Sequence, residues 1–498
     1  VQHAPILVIL IPLAASVLIS VVALRRLALA HALSVLATAA SAAMAWWLLV
    51  EVATHGAITY RMAGWDPATG HDPPDVEFAI GIHLVVDRMG AFVAAVIASM
   101  ATLSMVWARG PAGTLGRRGP FFYAVATLAL SGLLGMCLTG DAFNMFVFLE
   151  VASLAGYALV GCGGGRSQMA AFRYLMLGAT GASLYLLGVG YLYVATGTLN
   201  LANLADLVHG QPLGPVALAF VVAGLAIKMG LFPLHAWMPD AYTESPPVVA
   251  SFIVPIFTKV MAFAMIRFLF TVFGVDAYEG TLAAGQLLAW MGAIAAIVGA
   301  AVAATQTDLR RLLAWSSVGQ IGYIAIGVGI GSGLAVAAAL LHVMNHALMK
   351  GALFYIAGAA GAKDVSDLRG LMRRMPVTAV CLVIATMSLV GIPPLGGFFS
   401  KWYLIQASVE ASQPLLAAAV VGGSLLAVIY VFRIIEAAFL KPVTETEAAV
   451  ALGDGRTLPT RESGPSLLAP LVVAAALIVL TGILSQHIIA GWLMGAVG

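Results

Sequence analysis

Apolar runs of about 20 residues, separated by short polar stretches, recur along the whole chain. A run of that length crosses the roughly 30 Å hydrocarbon core of a bilayer as a helix. None of the runs shows the strict alternation of barrel strands. Lipid offers no partner to a free backbone N–H, so the runs must be helices. The pattern predicts about fourteen spans, near 5–24, 30–50, 86–107, 119–139, 142–162, 170–195, 215–239, 247–271, 281–303, 311–330, 334–360, 376–409, 414–440 and 466–490. The first run, from about Ile6 to Leu24, ends in Arg25-Arg26 without a small-residue cleavage site, and reads as a retained helix. Two polar stretches stand out. Residues 52–84, rich in Pro, Gly and Asp, are expected to form a small outer cap, and 441–465 a flexible connector.

Composition agrees with the pattern. The 498 residues are 61% hydrophobic and 9% charged, where a soluble domain carries about 25% charged residues. The expected class is an all-α polytopic membrane protein. The net charge of +2 gives no sign of nucleic-acid binding. Cys137, Cys162 and Cys381 lie in separate apolar segments without zinc or CxxC spacing, and read as buried side chains.

Charge also orients the chain. If the N-terminus is outside, 16 of the 24 Lys and Arg residues fall in cytoplasmic loops, among them Arg25, Arg26, Arg117, Arg118, Arg310 and Arg311. The opposite loops hold mainly acids such as Asp66, Asp72, Asp75 and Asp276. This asymmetry puts both termini outside a prokaryotic plasma membrane.

Removing loop charges leaves a short remainder inside the spans: Glu150, Lys228, Lys259, Lys350, Lys401, Arg433 and Glu436, joined by His342 and His346. Intramembrane ionisable groups usually face a bundle interior or a water-filled path. Glu150 lies nine residues past Asp141, about 13.5 Å along a helix and hence near mid-membrane. As a buried acid it calls for a base, and Lys228 is the candidate. His342, His346 and Lys350 recur every four residues and share one helix face. Histidine titrates near neutrality, so such a face suits a proton wire; neutral core histidines linking helices are the plainer alternative. Lys259 falls between Lys228 and Lys350 in a lateral row. Arg433 and Glu436, three residues apart, are secondary candidates that would equally make a local salt bridge. His235 is a further secondary candidate.

Lys228 precedes "GLFP" and Lys401 follows "LVGIPPLGGFFS". Proline and glycine predict a helix broken at mid-membrane in each. The "AGAAGA" stretch after Tyr355 predicts a third interruption, in span 11. Spans 7 and 12 are five apart, so spans 4–8 and 9–13 are expected to be inverted repeats with the ion site at the breaks. The expected organisation is 1–118 for helices 1–3 and the cap, 119–271 and 281–440 for the two repeats, and 441–498 for the linker and last helix.

"TQTDLRRLLAWSSVGQIGY", "FNMFVFLE", "LFPLHAWMPDAYTESPP", "LLHVMNHALMKGALF" and "GIPPLGGFFSKW" resemble, in order, the antiporter-like subunits shared by Mrp-type cation/proton antiporters and respiratory complex I. The resemblance covers about residues 80 to 440. Arg310 and Trp315 stand where relatives often have lysine and tyrosine. The resemblance implies fourteen helices with inverted five-helix repeats and a Glu150–Lys228 pair. It also implies Lys259 and His346 as connecting elements, with Lys350 assisting, and Lys401 as the second-half channel lysine. One complex I branch has glutamate at that last position. The chain after the last span is short, unlike the largest complex I subunit of this kind, which carries a long lateral helix. "DAFNMFVFLE" is most similar to the Mrp antiporter D-type chains and to their relatives in membrane-bound hydrogenases.

The first expectation is therefore a proton-translocating Mrp-type subunit, partnered by a second antiporter-like chain and small membrane subunits, moving protons and monovalent cations such as Na+ in lipid. The second is a pump subunit of a complex I-like, hydrogenase or formate-oxidising assembly. The third is a membrane partner for inorganic-carbon uptake. A purely structural anchor leaves the costly charges unexplained. The chain has no iron–sulfur ligands, flavin loop or nicotinamide fingerprint, so no cofactor of its own is expected and redox chemistry would belong to partners. The orientation is checked by single cysteines in a background where the native ones are replaced. Thr114→Cys should react with a membrane-impermeant maleimide only from the cytoplasmic side, and Asp206→Cys only from outside; the reverse pattern overturns the charge argument.

Overall fold

The computed structural model describes residues 3–61, 82–280, 282–441 and 458–497. Most of the expected cap and of the 441–465 connector lies outside these residues. The chain opens with α1 (Ala4–Leu18, extended by a π turn, Ile19–Ala23) and α2 (Leu27–His55). The described edges of the cap pair as an antiparallel hairpin, β1 (Ile58–Arg61) with β2 (His83–Val86), Ile58 opposite Val86. Four long helices follow: α3 (Arg88–Trp107), α4 (Gly119–Leu138), α5 (Ala142–Gly161) and α6 (Arg166–Thr196). Beyond the short α7 (Leu201–Leu207), the next crossing is divided into α8 (Gly214–Met229) and α9 (Trp237–Glu244). Next come α10 (Pro247–Ile266, with a π extension Arg267–Val272), the one-turn α11 (Asp276–Glu279), α12 (Ala284–Thr305), α13 (Leu309–Ile330) and α14 (Gly333–Ala359). After the one-turn α15 (Leu371–Arg374), a second divided crossing comprises α16 (Pro376–Val390) and α17 (Gly396–Glu410). α18 (Pro414–Ile435) and α19 (Pro465–Ile483) complete the bundle.

Twelve helices among the described residues are long and apolar enough to cross a membrane, and the shorter apolar α8 and α16 begin the two divided crossings. The protein is thus an all-α polytopic membrane protein, and among the described residues the twelve long helices and two divided crossings correspond to the fourteen spans that hydropathy predicts. Loop pairing supports the alternation. Leu84 bridges Thr139 and Asp141 bridges Asn200 at one end of the bundle, while Asp308 bridges Asp364 at the other.

Three aspartates just ahead of helices are N-caps. Asp87, Asp141 and Asp308 accept the backbone N–H of Gly90, Asn144 and Arg311 at 2.7, 2.6 and 2.8 Å. Each satisfies a donor that the first helical turn leaves unpaired, which lipid could not.

The centre of the bundle is α10, whose membrane-length window is buried throughout. Pro255 inside it has no N–H to give the carbonyl of Ser251. Ser104 of α3 stands in, its Oγ 2.9 Å from that carbonyl and 2.8 Å from the Tyr355 hydroxyl of α14.

The divided crossings arise where glycine and proline were expected to produce them. α8 ends at Gly230 (φ 71°) and α16 at Gly391 (φ 96°), both left-handed. Leu231 N–H closes back on Ala226 O at 3.0 Å, and Gly391 N–H on Met387 O at 3.0 Å. The third expected interruption is corrected: α14 runs unbroken from Gly333 to Ala359. The Ala/Gly stretch carries the end of the helix: Ala357, Gly358 and Ala359 are its last residues, Ala360 caps it and Gly361 (φ 63°) turns the chain away. A Cβ at Gly358 would stand 2.5 Å from the Trp107 ring, so that glycine serves close packing against α3 and not a helix break.

Gly391 is constrained twice, by its positive φ and by Lys401, whose Cδ would lie 3.2 Å from an added Cβ. Gly391→Ala should destabilise the protein by roughly 1–2 kcal/mol through the left-handed penalty. Thermal unfolding read by a thiol dye on the three buried cysteines checks this, and an unchanged transition refutes it.

Candidate proton pathway

The first break assembles a cluster around Lys228, which sits in the last turn of α8 and is 4% exposed. Its ammonium donates to Ser153 Oγ at 2.7 Å and to Tyr157 OH at 3.2 Å. Glu150 Oε1 stands farther off, at 3.5 Å. Glu150, Ser153 and Tyr157 line one face of α5 at spacings of three and four residues. Sequence reading found the carboxylate and missed the two hydroxyls, although the helical spacing from Glu150 points to them. Glu150 Oε1 has no hydrogen-bond partner of good geometry. Lys228 is thus ion-paired to Glu150 but more closely held by neutral oxygens. Trp237, the first residue of α9, donates Nε1–H to Ile227 O at 2.8 Å and stacks on Tyr174, 4.1 Å between centroids. These contacts fix the two half-helices against α6.

The second break is built differently. Lys401 lies on the second half-helix, α17, and reaches back across the gap. Its Nζ donates to Leu389 O at 2.8 Å, Val390 O at 2.9 Å and Ser424 Oγ at 3.0 Å, and lies 4.7 Å from the Tyr323 ring centroid. The two carbonyls belong to the last turn of α16, which has no following turn to bond them. Both lysines thus gather at the C-terminal end of a first half-helix, where the backbone dipole is negative. At 4% and 3% exposure, neither ammonium snorkels to a membrane interface.

Between them run α10 and α14, packed against each other. Lys259 Nζ donates to Val254 O at 2.7 Å within its own helix. On α14, Lys350 Nζ donates to Leu313 O at 2.8 Å and also to Ser316 Oγ. His342 and His346 are both buried, with rings 6.2 Å apart. His342 Nδ1 is 2.9 Å from Ser400 Oγ, next to Lys401 in sequence. Lys259 lies on α10, the helix packed against the α14 that carries His342, His346 and Lys350. The structure therefore lines His342, His346 and Lys350 along α14, with Lys401 beside His342 at the second break, Lys259 on the adjoining α10, and Glu150 and Lys228 at the first break.

The secondary candidates separate. His235 lies in the first break with its ring 5.1 Å from Phe232 and 4.9 Å from Trp315 of α13, and its Nδ1 has no partner. Arg433 and Glu436 do not bridge each other. Arg433 donates to Ala304 O at the end of α12, and Glu436 pairs with Lys441 at 3.2 Å. The π turn that begins at Glu436 carries its side chain toward Lys441. Arg267, near a span end, forms a two-pronged pair with Asp87 that ties α10 to α3.

Residues 139–427 match the family model described as "NADH:quinone oxidoreductase/Mrp antiporter, TM". The chain is 43% identical, over 98% of its length and 97% of the relative's, to NADH-quinone oxidoreductase subunit N of Desulforudis audaxviator. It is 31% identical, over 89% of its length and 86% of the relative's, to the D-type chain of the Na(+)/H(+) antiporter of Alkalihalophilus pseudofirmus. A chain of the membrane-bound sulfane sulfur reductase, an archaeal respiratory membrane complex, superposes with a TM-score of 0.87 at 28% identity, covering 100% of this chain and 97% of that one. Relatives of both the antiport and the respiratory kind thus align along most of the chain, and the protein belongs to the NADH:quinone oxidoreductase/Mrp antiporter transmembrane family.

Proposed function

We propose that this chain is the proton-translocating subunit of a multi-subunit membrane complex, and that Glu150 and Lys228 form its gate. The carrying observation is the unequal hold on Lys228, with Ser153 and Tyr157 near and Glu150 farther. A buried ammonium is stabilised by a close carboxylate and destabilised when that carboxylate withdraws. Approach of Glu150 would therefore load Lys228 with a proton, and its retreat would release the proton toward Lys259. From there His346, His342 and Lys350 on α14 lead to Lys401 at the second break. Lys401 is held by neutral acceptors alone, which suits a group that discharges to whatever lies beyond it.

The assembly that drives this path is first read as electron-driven, on the strength of the NADH-quinone oxidoreductase relative that aligns along 98% of the chain at 43% identity. Redox groups would then reside in partner subunits. An Mrp-type Na+/H+ antiporter, with this chain as its D-type component and both termini outside, is the second reading. It is supported by the Na(+)/H(+) antiporter relative; lysine at position 401 argues only against the complex I branch with glutamate there and is compatible with both readings.

Lys228→Ala and Glu150→Gln in the assembled complex should each lower proton translocation by roughly 100-fold, the scale of losing a positioned proton-transfer group. The measurement is dye-monitored acidification of inverted native-membrane vesicles. Full transport by an assembled Lys228→Ala complex removes the gate. Mass spectrometry of the complex purified in mild detergent decides between drivers. Iron–sulfur or dehydrogenase chains support the electron-driven reading; small membrane subunits with a larger antiporter-like chain, and no metalloprotein, support the Mrp reading.

A further inference from the structure

The motif "WSSVGQIGY" contains a polar residue that the path above does not use. Gln320 on α13 is 2% exposed, and its Oε1 has no hydrogen-bond partner. On α14, which packs against α13, both ring nitrogens of His346 and Nε2 of His342 are likewise buried without partners. The antiparallel register of the two helices places these groups together. Lys350 bonds to Ser316 at one end of the stripe, and His342 meets the Tyr323 ring at 5.5 Å at the other. Eight residues separate Lys350 from His342, and seven separate Ser316 from Tyr323. Gln320, at i+4 from Ser316, therefore faces His346, at i−4 from Lys350.

Four buried polar atoms without partners would cost about 1–3 kcal/mol each. A natural protein commonly satisfies such a group with internal water making about three hydrogen bonds. The geometry points to a water-holding site between α13 and α14, in which Gln320 positions water against His346 and His342. We propose that Gln320 is a positioning residue for the central proton transfer, an assignment that rests on the pathway proposed above. Its amide supplies both an acceptor and a donor, so it can hold water in either orientation as His346 gains and loses a proton. Lys350 lies one helical turn from His346 on α14, and Lys259 sits on α10, which packs against α14, so the proposed water would lie on the route from these lysines to the histidine that leads to Lys401.

The test uses the whole complex in native-membrane vesicles. Gln320→Met keeps length and volume but removes both polar functions, and should lower proton translocation by about tenfold with normal assembly on a native gel. Gln320→His, which restores a donor and an acceptor, should recover more than half of the wild-type rate. An assembled Met variant with full transport overturns the proposal. So does an equal loss in the Met and His variants, because shape alone would then explain the residue. If the Met variant does not assemble, a high-resolution map of the wild-type complex decides. Water density within hydrogen-bond reach of both Gln320 and His346 upholds the site, and its absence sinks it. Lys228→Ala is run alongside. Loss of transport there with none in Gln320→Met refutes this inference only, whereas full transport in Lys228→Ala refutes the pathway itself.

Discussion

In hydrocarbon a backbone carbonyl without a donor has no solvent to turn to, and the rest of this structure follows from that constraint. A crossing that is broken halfway exposes carbonyls at the deepest point of the membrane. The second break meets the need with Lys401, whose ammonium takes Leu389 O and Val390 O. At the first break the backbone turns back on itself, Gly230 N–H on Ile227 O at 3.1 Å, and the Trp237 indole N–H gives that carbonyl a second donor. Charge and backbone are mutually dependent at the second break. The lysine is tolerated because the freed carbonyls solvate it, and the break is tolerated because the lysine is there.

The same logic organises the centre. Pro255 removes a donor from α10, and Ser104 with Tyr355 compensates, joining α3, α10 and α14 by side-chain hydrogen bonds. These are the elements that carry or flank Lys259, His346 and Lys350. A polar seam through the middle of an apolar bundle is thereby tied to the packing that holds the bundle together.

The two breaks differ in a way that bears on function. A carboxylate attends Lys228, whereas hydroxyl and carbonyl oxygens attend Lys401. An acid that can move changes the charge balance of its partner, and a fixed neutral cradle does not. This asymmetry gives the proposed path a gated end and an ungated one.

Much of the architecture was legible in the chain itself. Run length gave fourteen crossings, Gly and Pro located the breaks after Lys228 and before Lys401, and four-residue spacing put His342, His346 and Lys350 on one face. These features depend on local geometry, which sequence specifies directly. Three things did not follow from it. The stretch after Tyr355 looked like a break because glycine weakens an isolated helix, yet contact with Trp107 makes Gly358 a packing residue in a continuous α14. Arg433 and Glu436 have the spacing of a local pair but find Ala304 O and Lys441 instead. The hydroxyls of Ser153, Tyr157, Ser316 and Ser424, and the amide of Gln320, became meaningful only when the register between helices placed them opposite a buried lysine or histidine. Helix faces are written in the sequence, but which face meets which is set by packing between segments far apart in the chain, and there the tertiary structure decides.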